Sequence, residues 1–371
     1  MQLNYHNFIK NNNFYISQLD WKELNKNYDK QNIKNEIIKA IREYNILLPF
    51  NKPTIEDMYK DFEKLKNCSI DILKEGEWFS RYEYKWEKNK EYLDGNNTGL
   101  NASNFFHFNN RLLCDSINSP SPIRVWNNDK FLNTLLNYFW SGLIKDDITI
   151  STFRTAIVMR KYMASQFKPI IAKYIYNKYG NNGMVLDFSS GWGDRLLGFW
   201  TSNCFSYIGI DPNINLIEGY NSQISTYKTL ISNKTAQILS SCSEDVNFKE
   251  EKFDLLFTST PYFNIERYTQ QDNQSFKKFK KLNNWLEGFL FKSINNFWNN
   301  LKDGGYLILN ISDVYSNHTI NKICDPMNDF ISTLNKSNYK GCIGMKMIKR
   351  PNTFADKNGV FCEPLWIWCK N

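Results

Sequence analysis

VLDFSSGWGDRLLGF, residues 185–199, is the stretch whose reading decides the fold. The apolar run Met184–Phe188 has the length of a buried strand and carries Asp187 near its end. Ser189, Gly191 and Gly193 follow, and a helical pattern begins at Asp194. Glycine permits positive φ and lets backbone approach a ligand closely. The free N–H groups of a helix N-terminus face the same turn, where dinucleotide sites hold a pyrophosphate. The spacing is GxG, without the third glycine of GxGxxG. Alone, the segment indicates a nucleotide-like ligand at a strand-to-helix turn, or simply a tight turn.

Working outward, strands and helices alternate. A helix-like run covers 153–179 and leads through Gly180–Gly183 into the first strand. Further strands are predicted over 207–210, 236–240, 253–258 and 306–311, with helices over 215–232 and 285–301. Asp303–Gly304–Gly305 makes the turn into the 306–311 strand. The end reads as two strands, 340–348 and 365–369, forming an antiparallel edge pair. This pattern predicts an α/β fold: a Rossmann-like, doubly wound, mostly parallel seven-stranded sheet. Ligands of such sheets lie at the carboxyl ends of the strands. Residues 1–150 read differently, as a mainly helical and irregular region with helical patterns over 21–44 and 54–67. The expected division is therefore 1–150 and 151–371.

Acidic residues recur at the strand ends. The second strand ends in Gly209–Ile210–Asp211, where a carboxylate accepts hydrogen bonds from both hydroxyls of a ribose. The third is followed by Ser243–Glu244–Asp245, within reach of an adenine amine. Asp187 suits a ligand carrying an ammonium group. Taken singly, Asp211 is also an ordinary helix N-cap and Asp245 an ordinary loop carboxylate.

In this order the residues resemble the class I S-adenosylmethionine-dependent methyltransferases, over about residues 160–371. The resemblance implies S-adenosylmethionine as cofactor. It implies that Asp187, Ser189, Gly191, Gly193, Asp211 and Asp245 surround it. Ser165–Gln166–Phe167–Lys168–Pro169 resembles the stretch that amino-methyltransferases carry before the glycine loop, with Phe167 over the methionine end.

The fourth strand ends in Thr258–Ser259–Thr260–Pro261–Tyr262–Phe263. This resembles the (Asp/Asn/Ser)-Pro-Pro-(Tyr/Phe) motif of enzymes that methylate exocyclic amino groups, among them DNA adenine-N6 and cytosine-N4 methyltransferases. Thr260 stands where the first proline usually does. An exocyclic base amine is a weak nucleophile, because its lone pair is delocalised into the ring. Acceptors aimed at its N–H groups favour sp³ geometry, and Ser259 Oγ with the Thr260 carbonyl fits that task. Pro261 fixes the turn, and Tyr262 offers a face for stacking a base flipped out of a duplex. The catalytic candidates are thus Ser259, Thr260, Pro261 and Tyr262. Asn264–Tyr268 resembles the continuation found in phage- and virus-encoded amino-methyltransferases.

Arg267 and Lys277, Lys278, Lys280 and Lys281, interleaved with Phe276 and Phe279, suit a nucleic-acid backbone or form a solvated basic face. Arg81–Lys90, with Tyr82, Tyr84 and Trp86, has the same two readings. Asn310 and Asp313 are placed to face a target pocket or to cap a strand, and Glu363–Pro364 reads as structural. Lys and Arg exceed Asp and Glu, 46 against 38, a balance compatible with a polyanionic partner. The eight Cys form no CxxC pair and the three His are scattered, so no metal site is expected. The N-terminus lacks the apolar core of a signal peptide, and no membrane-length apolar run occurs, which predicts a soluble, cytoplasmic protein.

The expected reaction is methylation of a base amino group, with DNA ahead of RNA as the partner. A protein glutamine as acceptor, or a catalytically weak nucleic-acid-binding relative, are the alternatives. The seventy or so residues between the glycine loop and Ser259 are all needed for the sheet. Target recognition therefore falls to residues 1–150 or to the loop 263–284.

Overall fold

Pro169 divides what reads in the sequence as one helical run over 153–179. The computed structural model, which describes residues 2–316, 318–348, 354 and 357–371, has two helices there, Ile150–Arg160 and Pro169–Tyr179. Proline fits the first turn of a helix, where its missing N–H has no partner to lose. It pushes the residue before it out of the helical region, and Lys168 is extended at φ −75° and ψ 113°. The two helices belong to different compact units. One comprises Met1–Lys52 with Arg111–Ala164, the other Pro53–Asn110 with Ser165–Asn371. The chain thus passes between units three times, where the sequence reading has a single boundary near 150.

The smaller unit grows from a hairpin. Ile9–Lys10 pairs antiparallel with Asn13–Ile16. The two loop residues, Asn11 and Asn12, have φ of 51° and 59°, the left-handed pair that a two-residue hairpin requires and asparagine tolerates. Ile148–Thr149 adds a third strand beside Tyr15–Ile16. The helical pattern over 21–44 forms two helices, Gln18–Asn27 and Lys30–Glu43, because Asp29 caps the second with bonds to the N–H groups of Gln31 and Asn32. Phe153 is the centre of the core. Phe14, Phe139 and Trp126 meet its ring edge-on at 4.9, 5.0 and 5.5 Å.

The larger unit carries the sheet. Its seven principal strands are β1 (Met184–Asp187), β2 (Ser206–Ile210), β3 (Thr235–Leu239), β4 (Phe253–Ser259), β5 (Leu301–Asn310), β6 (Ser337–Lys346) and β7 (Val360–Lys370). Their order is β3-β2-β1-β4-β5-β7-β6. Pairing is parallel from β3 through β5, and β7 runs antiparallel between β5 and β6. The sheet is Rossmann-like and mostly parallel, as the alternation predicts. β1, β2 and β4 are buried on both faces, which is why they read as mostly apolar runs.

The closing pair is not at an edge. Glu91–Leu93 pairs parallel with β6, and Leu73–Glu75 pairs antiparallel with Glu91–Leu93 beyond it. Trp78–Phe79 pairs with Val360–Phe361 of β7, bringing the sheet to ten strands. Residues from the first third of the chain therefore satisfy the backbone of the outer strand, which would otherwise present unpaired donors and acceptors. This also decides the reading of Arg81–Lys90. Tyr84 packs edge-on against Trp366 and Trp86 against Trp368, at 5.1 and 5.2 Å, while Lys85 pairs with Asp329 and Lys90 with Glu77. The stretch is built into the sheet's flank.

Candidate functional site

The carboxyl ends of β1, β2 and β4 converge on the loop Phe188–Gly193. Gly191 and Gly193 have φ of 66° and 74°, a region that disfavours any side chain. At Gly193 a Cβ would also strike Gln223 Oε1 and lie 2.9 Å from His107 Nε2, so this glycine is fixed by packing beneath the loop. At Gly191 a Cβ would meet nothing closer than 3.8 Å. Its open side is a cleft.

Two clefts meet at this loop. The first, of about 670 Å³, is bounded by Phe188, Ser189, Gly191, Asp211, Glu244 and Pro261 among others. The second, of about 780 Å³, is bounded by Phe167, Arg195, Thr260, Tyr262, Glu266 and Glu363 among others. Gly191, Trp192, Ser259 and Tyr268 stand on both walls. Ser259, the last residue of β4, is thus part of the partition between them.

Asp211 is anchored in the first cleft. Gly191 N–H donates to its Oδ2 at 3.0 Å, Asn213 N–H to its Oδ1 at 2.9 Å, and the Tyr220 hydroxyl to Oδ2 at 3.3 Å. Tyr220 also donates to the Gly191 carbonyl, so one phenol ties the loop to the β2 acid. Burial outweighs these donors and raises the Asp211 pKa to about 6.

Asp187 does not face either cleft. It is fully buried, and Arg195 Nε donates to its Oδ2 at 2.8 Å. The Tyr207 hydroxyl donates to Oδ2 and Thr258 Oγ1 to Oδ1, each at 2.8 Å. Its acceptor sites are filled from three other elements, which corrects its expected place beside a ligand ammonium. It holds β1, β2, β4 and the helix Asp194–Trp200 together. Ser189 is on the wall of the first cleft, with Oγ donating to the Phe188 carbonyl at 2.8 Å.

Asp245 is also displaced from its expected place. Its side chain is 52% exposed and pairs with Lys278 at 3.0 Å and Lys292 at 3.4 Å, outside the walls of both clefts. The residue that faces the first cleft is Glu244, buried and paired with Lys278 at 2.6 Å. Ser243–Asp245 is a 3-10 turn, which points successive side chains about 120° apart.

Phe167 borders the second cleft, its ring edge-on to Phe257 at 5.6 Å and 5.5 Å from the Arg195 guanidinium carbon. Around it, Ser259 Oγ donates to Asn310 Oδ1 at 3.1 Å, and Asn310 Nδ2 donates to the Pro364 carbonyl at 3.1 Å. The Tyr262 hydroxyl donates to Glu363 Oε2 at 3.1 Å. Thr260 Oγ1 is buried without a hydrogen-bond partner among the described residues. Phe263, next in the chain, adopts φ of 48° with its ring against Trp285 at 5.8 Å. That left-handed turn in a bulky residue ends the tetrapeptide sharply.

No family model matches the chain, and no curated protein matches it. Among solved structures it is similar to an rRNA methylase from Streptococcus thermophilus, at 11% identity and a TM-score of 0.34, over 56% of this chain and 99% of that one. It is similar to TrmN from Thermus thermophilus at 10% and 0.37, over 62% and 55%. A third is an S-adenosylmethionine-dependent O-methyltransferase from Thermotoga maritima, at 12% and 0.35, over 58% and 70%.

The basic run after the tetrapeptide divides in two. Lys277 pairs with Asp272 at 3.1 Å, and Lys278 is taken up by Glu244 and Asp245. Lys280 and Lys281 are exposed and form no ion pair among the described residues. Arg267, half-buried, has an Nε without a hydrogen-bond partner among the described residues. Glu363, which reads in the sequence as structural, stands on the wall of the second cleft as a lone carboxylate in the apolar strand FCEPLWIWC, residues 361–369. No helix among the described residues is long and apolar enough to cross a membrane.

Proposed function

We propose that this chain is an S-adenosylmethionine-dependent methyltransferase acting on an exocyclic amino group of a nucleic-acid base, adenine N6 or cytosine N4. The observation that carries the reading is Ser259 on the shared wall of two clefts. One cleft holds a buried acid against a glycine loop, and the other an aromatic residue beside hydrogen-bond acceptors. Cofactor and acceptor are thereby brought to one point from two sides, and orientation of two bound reactants supplies most of the rate in such chemistry.

The residues present fit the cofactor. Gly191 leaves room for close approach, Asp211 offers acceptors to ribose hydroxyls, and Phe167 covers the far end next to the Arg195 guanidinium. When bound, S-adenosylmethionine supplies an electrophilic methyl group, which the acceptor nitrogen takes with its lone pair as the sulfur leaves with the C–S pair and the nitrogen loses a proton to water. Ser259 Oγ and the Thr260 carbonyl accept from the amine's N–H groups. Tyr262 stacks on the base. The resemblance of Ser259–Tyr262 to DNA amino-methyltransferases puts DNA ahead of RNA.

The smaller unit supplies target recognition. It contains fifteen Lys and Arg against nine Asp and Glu, so it carries six of the eight net positive charges in a minority of the chain. A charge so placed suits a phosphate backbone. Methyl transfer from labelled cofactor to DNA and RNA, followed by mass analysis of the nucleosides, tests the reading. Label in N6-methyladenine or N4-methylcytosine supports it, and label in protein alone overturns it.

A further inference from the structure

Glu363 is a half-buried carboxyl group on the second cleft, and it also stands on the wall of a third, of about 1020 Å³. Tyr262 and Glu266 line both of these clefts as well. Among the described residues Glu363 forms no ion pair, and the neutral Tyr262 phenol donates to its Oε2 at 3.1 Å. A carboxyl drawn out of water without an ion-pair partner is costly unless something else satisfies it. Its position is nevertheless tightly fixed. Asn310 accepts from Ser259 and donates to the carbonyl of Pro364, so one side chain ties the backbone next to Glu363 to the residue where the two reactants meet. Tyr262 ties the carboxyl itself to the tetrapeptide.

We propose that Glu363 selects the acceptor, its carboxyl group hydrogen-bonding the ring nitrogen and the nearer amine N–H on the N–C–N edge that adenine and cytosine share, while the other N–H is left to Ser259 and Thr260. This rests on the base-amine reading above and adds the residue that recognises the edge. A carboxylic acid presents one O–H donor and one carbonyl acceptor side by side. Adenine N1/N6 and cytosine N3/N4 present the complementary pair. A hydroxyl acceptor, or the N1–H/N2–H₂ edge of guanine, does not. Burial raises the Glu363 pKa, with the neighbouring Glu266 adding to the rise, while Tyr262, Arg81 and Asn310 oppose it. Asp313, on the wall of the third cleft, is a further acid, paired with Lys322 at 3.4 Å. Donation to the ring nitrogen requires the acid form, so under this proposal transfer falls as pH rises and Glu363 ionises.

The experiment compares wild type, Glu363→Gln and Glu363→Ala on oligonucleotides containing adenine, 1-deazaadenine, cytosine or 3-deazacytosine. Binding of S-adenosylhomocysteine is measured on each variant by calorimetry. Wild type is expected to discriminate against the deaza base by about 100-fold in kcat/KM, the scale of a bidentate base contact. Glu363→Ala loses about 100-fold on the natural base and no longer discriminates. Glu363→Gln, whose amide keeps a donor beside an acceptor, loses about 10-fold and shows no alkaline fall. All three bind S-adenosylhomocysteine alike, which shows that they are folded. Equal discrimination by wild type and Glu363→Ala overturns the inference and leaves the amine-methyltransferase reading standing. No transfer by wild type to any oligonucleotide overturns both.

Discussion

The backbone N–H of Gly191 donates to Oδ2 of Asp211 across 3.0 Å, so the acid at the end of β2 fixes the turn at the end of β1. The same carboxylate presents its remaining acceptor capacity to the first cleft. Removing it therefore affects both the shape of the glycine loop and the contact to a ribose. Asp211→Ala is expected to weaken S-adenosylhomocysteine binding by at least about 10-fold, the scale of a hydrogen bond to a charged group. Calorimetric titration checks this, and an unchanged Kd would remove Asp211 from the cofactor site.

Asp211 also sets a pH dependence. Its pKa is raised to about 6 by burial, so it is ionised above that pH. Cofactor affinity should hold above pH 6 and fall as pH drops through it, because the acid form offers fewer acceptors. Stability runs the other way. The folded pKa lies above the unfolded value near 4, so between those values the folded state binds the extra proton and stability declines as pH rises. The full span is about 3 kcal/mol for two pH units. Melting temperatures of wild type and Asp211→Asn between pH 4.5 and 7 should diverge in slope, with only the wild type carrying this decline.

Asp187 makes a contrasting prediction. Asp187→Asn leaves the buried Arg195 guanidinium without its counter-charge. Breaking a buried pair in this way costs about 3–5 kcal/mol. Urea unfolding should show that loss whether or not cofactor is present. A variant of wild-type stability that binds cofactor poorly would return Asp187 to the ligand.

Tyr262→Ala removes the aromatic face and the donor to Glu363, which lie on the second cleft and not on the wall of the first, where Asp211 stands. Methyl transfer should fall by about 100-fold or more while S-adenosylhomocysteine binding stays within about twofold. Tyr262→Phe keeps the face and isolates the hydroxyl. Turnover unchanged in Tyr262→Ala would move the acceptor site elsewhere.

Gly193→Ala introduces a Cβ against Gln223 and His107 at a φ of 74°. The loss of stability should exceed the 1 kcal/mol or so of an ordinary glycine substitution. Gly191→Ala, facing the cleft, should cost less stability and more cofactor affinity. Thermal melts and binding isotherms on the two variants separate these effects.

Local features were legible in the sequence, and long-range ones were not. The strand, glycine turn and helix over 184–200, and the acid closing β2, follow from short-range periodicity and spacing. Asp187 was misread because what occupies it comes from Arg195, Tyr207 and Thr258, on three separate elements. Glu244 and Asp245 differ only by the rotation of one residue in a tight turn, below what a pattern resolves. Glu363 gains its meaning from Tyr262, 101 residues earlier in the chain. Leu73–Glu75 and Glu91–Leu93 are three residues each, too short to show alternation.

Those two short strands impose an order on biosynthesis. Glu91–Leu93 pairs with Gly344–Met345, so its partner leaves the ribosome some 250 residues later. At ordinary translation rates that is a wait of roughly 10–50 s. Through that interval the segment, paired only with Leu73–Glu75, keeps one open strand edge in the nascent chain, a natural client for chaperones. A fragment starting near residue 151, where the pattern suggests a clean cut, would leave β6 with a bare outer edge. Such a fragment should self-associate through that edge, while the full chain carries its own cover.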